Sequence, residues 1–209
     1  MYCASSEAID PAHQELAAQV GTELAARGHQ LVWGGGRVSS MGAVARAARA
    51  GGAHTVGVIP RHLLGYEVAD HDADELLVTE TMRERKAEMD QRADAFLTLA
   101  GGLGTLEELF EIWVSRYLGM HAKPLVVLDP DGLFGPLREQ IALLAERGFV
   151  TEPARAAVYW ADKVDEALDV LEREAGRTPT ARPAAEEVLE SVEDWPAGQP
   201  PQVRPDPAG

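Results

Sequence analysis

The sequence predicts an α/β fold, a Rossmann-like, doubly wound domain with a mainly parallel sheet and helices on both faces. Three observations predict it. Short apolar runs alternate with helical patterns along most of the chain. The apolar runs show little in–out alternation, as expected of strands covered on both faces. Several helical patterns stop at a glycine (Gly28, Gly51, Gly119, Gly148), the residue that supplies a left-handed helix end at least cost.

Taken in order, the first strand is short. MYCA gives only a few residues before Ser5 and Ser6, so either this strand is stunted or the native chain starts further upstream. Further strands are expected at Gln30–Trp33, Thr55–Ile59, Glu75–Val78, Ala95–Leu99, Pro124–Leu128 and Ala157–Trp160. Helices are expected at Pro11–Arg27, Met41–Ala50, Met82–Arg92, Leu106–Leu118, Leu133–Arg147 and Val164–Glu174. Right-handed crossovers between parallel strands then place ligands beyond the strands' carboxyl ends. This reading gives one nucleotide-binding domain over residues 1–176. Residues 177–209 are rich in Pro, Ala and Glu and read as a disordered tail, with a short amphipathic turn at Val188–Trp195.

Composition narrows the function. The net charge of −15 disfavours a nucleic-acid partner, because phosphate backbones are bound by excess Lys and Arg. It leaves room for a small anion, which a few backbone N–H groups can hold locally. No apolar run reaches the roughly 18 residues that suggest a membrane span, and MYCASSEAID lacks the features of a signal peptide. One cysteine cannot form an internal disulfide, so a cytoplasmic location is expected. The six histidines and Cys3 show no ligand spacing, so no metal is expected.

Three segments carry candidate chemistry. In Ala100–Trp113, AGGLGTLEELFEIW, glycines precede a helix whose free N–H groups suit a phosphate. The same segment also reads as a plain tight turn. Thr105-x-x-Glu108 is a capping-box pattern, or else Glu108 is a carboxylate beside bound phosphate and ribose. The second segment, GGGRVSSMG at Gly34–Gly42, either faces the other side of a nucleotide or is simply a turn. In the third, TMRERKAEM at Thr81–Met89, Thr81 and Glu84 form another capping box. Met82, Arg85 and Met89 share one face. An inward arginine needs an anionic partner, either a structural carboxylate or substrate. Arg83 and Lys86 lie off that face and read as solvated.

Together these segments resemble the LONELY GUY family of cytokinin riboside 5′-monophosphate phosphoribohydrolases, once described as possible lysine decarboxylases. The family's P-G-G-x-G-T-x-x-E loop and upstream M-x-x-R-K motif read here as A-G-G-L-G-T-L-E-E (Ala100–Glu108) and M-R-E-R-K (Met82–Lys86). Y-C-A-S-S and G-G-G-R-V-S-S-M-G resemble two further family segments, C-G-S-S and G-G-G-x-x-G-L-M-G. The resemblance spans Tyr2 to about Glu174. It implies Arg85 and Glu108 as the catalytic pair. It implies Gly101, Gly102, Gly104 and Thr105 as the phosphate cradle, with Leu103 in the same turn. Met82, Lys86 and residues of the second glycine run (Gly35, Gly36, Met41 and Gly42) would line the site, as would Ser5 and, in GYEVAD, Glu67. Ala100, Ser39 and Ser40 depart from the family's Pro, Gly and Leu.

The implied activity is cleavage of the N-glycosidic bond of a nucleoside 5′-monophosphate, without a cofactor, in a homodimer with sites near the interface. The rival readings are a non-catalytic nucleotide sensor or carrier of the same fold and a pyridoxal-phosphate decarboxylase.

Overall fold

A computed structural model of the chain describes residues 1–64 and 69–176. The expected tail, its Val188–Trp195 turn and Glu67 lie outside the described residues. Along the described chain run α1 (Pro11–Ala26), β1 (Leu31–Trp33), α2 (Ser39–Ala50), β2 (Thr55–Pro60), β3 (Glu75–Thr79), α3 (Met82–Arg92) and β4 (Phe96–Thr98). There follow α4 (Leu103–Tyr117), β5 (Leu125–Leu128), α5 (Gly135–Glu146), α6 (Glu152–Ala156), β6 (Tyr159–Ala161) and α7 (Val164–Ala175).

All strand pairings are parallel, in the orders β1-β2-β3 and β4-β5-β6. The short first segment joins the two. The Tyr2 N–H donates to Leu97 O at 2.9 Å, and the Leu99 N–H donates to Tyr2 O at 2.9 Å. On the other side the Met1 nitrogen donates to Val32 O at 2.7 Å. Residues 1–4 therefore occupy the middle of the sheet, and the chain runs outward from them in both directions.

Adjacent strand residues feed opposite cores. Val126 and Leu128 of β5 pack with α1, α2 and α7, where Val20, Val44 and Leu168 are buried. Leu125 and Val127 pack with α3 and α4, where Met89, Leu109 and Trp113 are buried. This two-sided burial explains the absence of alternation in the sequence. The helix following residues 1–4 covers one face and the helix following β4 covers the other. The crevice between them opens at the carboxyl ends of the strands, where this class of sheet binds ligands.

Some expected boundaries move. α2 begins at Ser39 and α4 at Leu103, each earlier than the apolar pattern suggested. Gly51 is right-handed, and Gly52 (φ 86°) takes the left-handed position after α2. The short α6 was not expected; Thr151 caps it by accepting from the Ala154 N–H at 3.3 Å.

Candidate active site

The site is built from two helix starts and a buried arginine. Thr81 caps α3, its hydroxyl accepting from the Glu84 N–H at 3.1 Å. The Glu84 carboxylate reaches back to the Glu80 N–H at 2.8 Å, one residue before the cap. This start turns Arg85 and Met89 inward, and both are buried. Arg85 is 6% exposed, and its guanidinium donates to Val58 O at 3.0 Å and to Gly34 O at 3.4 Å. Its anionic partner is Glu108, with Arg85 Nη1 3.4 Å from Oε1. Glu108 is itself only 7% exposed. Two charges at such depth persist because they face each other, and removing either strands the other.

The expected capping box at Thr105 is not formed. α4 starts on Gly102 with no side-chain cap, so Thr105 sits inside the first turn. Its hydroxyl donates to Cys3 O at 3.2 Å, and Glu108 faces Arg85 from the second turn. The first helical bond of α4 runs from the Leu106 N–H to Gly102 O at 3.1 Å. The N–H groups of Leu103, Gly104 and Thr105 thus have no acceptor within the helix, and the dipole adds a partial positive charge there.

A cavity of about 430 Å³ opens above the pair. Arg85, Glu108, Ser5, Met41 and Met82 line it, as does the whole Gly101–Thr105 turn. Gly35, Gly36 and Gly42 do not; of that run, Gly34 and Met41 reach the cavity. Gly35 and Gly36 instead meet the chain at Ala69 and Asp70, through a bridge and an N–H from Asp70 to Gly35 O at 2.8 Å. Lys86 also lies outside the cavity and is not a plain solvated lysine. It is largely buried, held by Glu107 and by Glu111 at 2.6 Å. Burial pulls its pKa down, but the two carboxylates outweigh it and the net shift is upward. Sequence reasoning missed His13 and Leu133, which also line the cavity. Neither carries a motif, and a lone histidine on a helix gives no signal. Cys3 lies in the wall as well, where burial pushes its thiol up to about 12. It is a neutral thiol, and the thiolate is the nucleophilic form.

Fold and site together define a Rossmann-like protein with an anion-suited helix start above a buried arginine–glutamate pair. The chain belongs to the LONELY GUY family: the family model described as "Possible lysine decarboxylase" matches residues 41–171. The cytokinin riboside 5′-monophosphate phosphoribohydrolase of Mycobacterium marinum is 55% identical over 80% of this chain and 89% of its own length. The enzyme of the same name from Oryza sativa is 41% identical over 82% of this chain and 71% of its own. Among solved structures, the molybdenum cofactor binding protein from Rippkaea orientalis aligns with a TM-score of 0.60 at 23% identity, covering 80% of this chain and 90% of that one. At that identity the likeness concerns the fold alone. Among the described residues, no helix is long and apolar enough to cross a membrane.

Proposed function

We propose that this chain hydrolyses the N-glycosidic bond of a nucleoside 5′-monophosphate, AMP or a cytokinin riboside 5′-monophosphate, to free base and ribose 5-phosphate. The observation that carries this reading is the meeting of Arg85 and Glu108, from separate helices, on the floor of the cavity bordered by Gly101–Thr105. The names of the relatives agree with it. The 5′-phosphate sits on the N–H groups at the start of α4, and its binding energy holds the sugar over the pair. As the base departs, positive charge builds on the ribose ring. The Glu108 carboxylate opposes that charge and takes a proton from the water that adds to C1′. The C1′–N bond breaks with its electron pair going to the base, which takes up a proton from solvent, and Glu108 returns its proton to solvent. Arg85 fixes the carboxylate's orientation and sets a positive charge opposite it.

The description of the family model as a decarboxylase would call for pyridoxal phosphate on a lysine. The residues do not fit that cofactor. No lysine lines the cavity, and Lys86 is held charged by two carboxylates outside it, whereas an aldimine forms from a neutral amine. A nucleotide carrier would need the glycine turn but not a buried arginine–carboxylate pair.

The protein acts, in this reading, as a cytoplasmic homodimer. Exposed apolar side chains lie at both ends of α4, Leu103 at 87% and Val114 with the C-terminal Leu118, with the carboxylates of Glu107 and Glu111 between them. A light-scattering mass of one protomer would contradict the dimer. The activity is tested by incubating the protein with AMP and with isopentenyladenosine monophosphate. Free base and ribose 5-phosphate are expected; release of nucleoside and inorganic phosphate, or of nothing, would contradict it.

A further inference from the structure

Ser39 is the only non-glycine residue with a positive φ among the described residues, at 52°. Left-handed backbone is costly for a residue with a β-carbon, and such strain persists only where the surroundings impose it. Here the surroundings are a bond. The Ser39 hydroxyl, on a side chain that is 3% exposed, donates to Ser6 O at 2.6 Å. It is one of three bonds that hold the same strip of chain. Thr105 Oγ donates to Cys3 O at 3.2 Å, and the Met41 N–H donates to Ala4 O at 3.3 Å. Residues 3–6 thus run between the starts of α4 and α2, their carbonyls taken in turn by one helix and then the other. Cys3, Ala4, Ser5 and Ser6 all line the cavity. Ser39 does not, so its hydroxyl reaches the site through Ser6.

We infer that Ser39 is a positioning residue for substrate binding: its hydroxyl clamps Ser6 and thereby sets the Ser5–Ser6 wall of the cavity, at the cost of a strained backbone. The inference rests on the nucleotide hydrolysis proposed above. Strain and clamp separate by substitution. Ser39→Ala removes the hydroxyl and keeps a β-carbon at positive φ. Ser39→Gly removes the hydroxyl and the strain together.

The test measures Tm, kcat and KM for the nucleoside monophosphate that the wild-type protein turns over. Both variants are expected to raise KM about tenfold, the effect of one lost hydrogen bond in the wall, with kcat within about twofold. The Tm of Ser39→Gly is expected above that of Ser39→Ala. A merely structural residue would instead move KM in step with Tm. The inference is overturned if KM stays within about twofold in both variants, or if Ser39→Gly restores the wild-type KM. Wild-type protein that hydrolyses no nucleoside monophosphate would defeat the proposed function instead. The clamp is then read from AMP affinity by calorimetry, with the same tenfold loss expected. Without AMP binding it is read from hydrogen exchange of the Met41 amide, which is expected to speed up in both variants. Unchanged exchange overturns the clamp.

Discussion

A β-carbon placed on Gly34 would lie 2.0 Å from Arg85 Nη2, and one on Gly42 would lie 1.8 Å from Arg37 O. One placed on Gly102 or Gly104 would meet nothing within 4 Å. Both glycine-rich turns lead from a strand into a helix at the same edge of the sheet, yet the absent side chains make room for different things. In the first turn they make room for the protein itself: the Arg85 guanidinium lies over Gly34, and the Met41 N–H of α2 is already taken by Ala4 O. In the second, Gly101 packs on Thr105, but Gly102 and Gly104 face open space beside N–H groups without helical acceptors. Glycine that no neighbour requires, at an uncapped helix start, leaves room for a ligand. The first turn places the chemistry and the second admits the substrate.

The sharpest way to break this contrast is to add one methyl group to each turn. Gly34→Ala should force Arg85 off Gly34 O and Glu108. The expected loss is about 100- to 1000-fold in kcat, the scale seen when a preorganised charge is misplaced. A fall in Tm should accompany it, since a buried ion pair is disturbed. Wild-type turnover in Gly34→Ala would mean that the first turn does not place the arginine. Gly104→Ala should do the reverse. Alanine is the better helix former by up to about 1 kcal/mol, so Tm should hold or rise. The methyl group should crowd the phosphate and raise KM about tenfold or more. An unchanged KM would leave the second turn with no ligand to admit.

The smallest effect is expected between the two turns, at Cys3. The strip it belongs to is held through carbonyl oxygens, and its buried thiol is pushed up to about 12, so it stays protonated across neutral pH. Cys3→Ala should keep kcat within about twofold and leave the pH–rate profile unchanged between about pH 6 and 9. A profile that loses a limb in this variant would assign the thiol a role that the geometry denies it.

Much of this arrangement was legible in the sequence. The strand–helix alternation fixed the layering, and the span of α3 matched its pattern because Thr81 and Glu84 are a local capping signal. The need for an anion opposite Arg85 was readable from its place between Met82 and Met89. What answered that need was not readable from spacing alone, because Glu108 also has a local explanation as a capping residue; only the family resemblance paired it with Arg85. That explanation failed because α4 starts at Leu103, with Gly102 rather than Thr105 at the cap position. Lys86 was misplaced for a similar reason: Glu107 and Glu111 reach it from a distant helix, and no spacing within one segment records such a pairing. The bonds to Cys3, Ala4 and Ser6 are made to backbone oxygens, which every residue possesses, so no residue type could announce them.

The most direct measurement is a comparison of wild type with Glu108→Gln, in which turnover of a nucleoside 5′-monophosphate and equilibrium binding of AMP are followed on the same preparations. The substitution keeps the shape of the side chain and removes the charge facing Arg85. If the Gly101–Thr105 turn anchors the phosphate and the pair performs the cleavage, kcat should fall by about a thousandfold or more while the AMP dissociation constant stays within about threefold. Turnover near the wild-type rate, or loss of AMP binding in step with activity, would contradict the account.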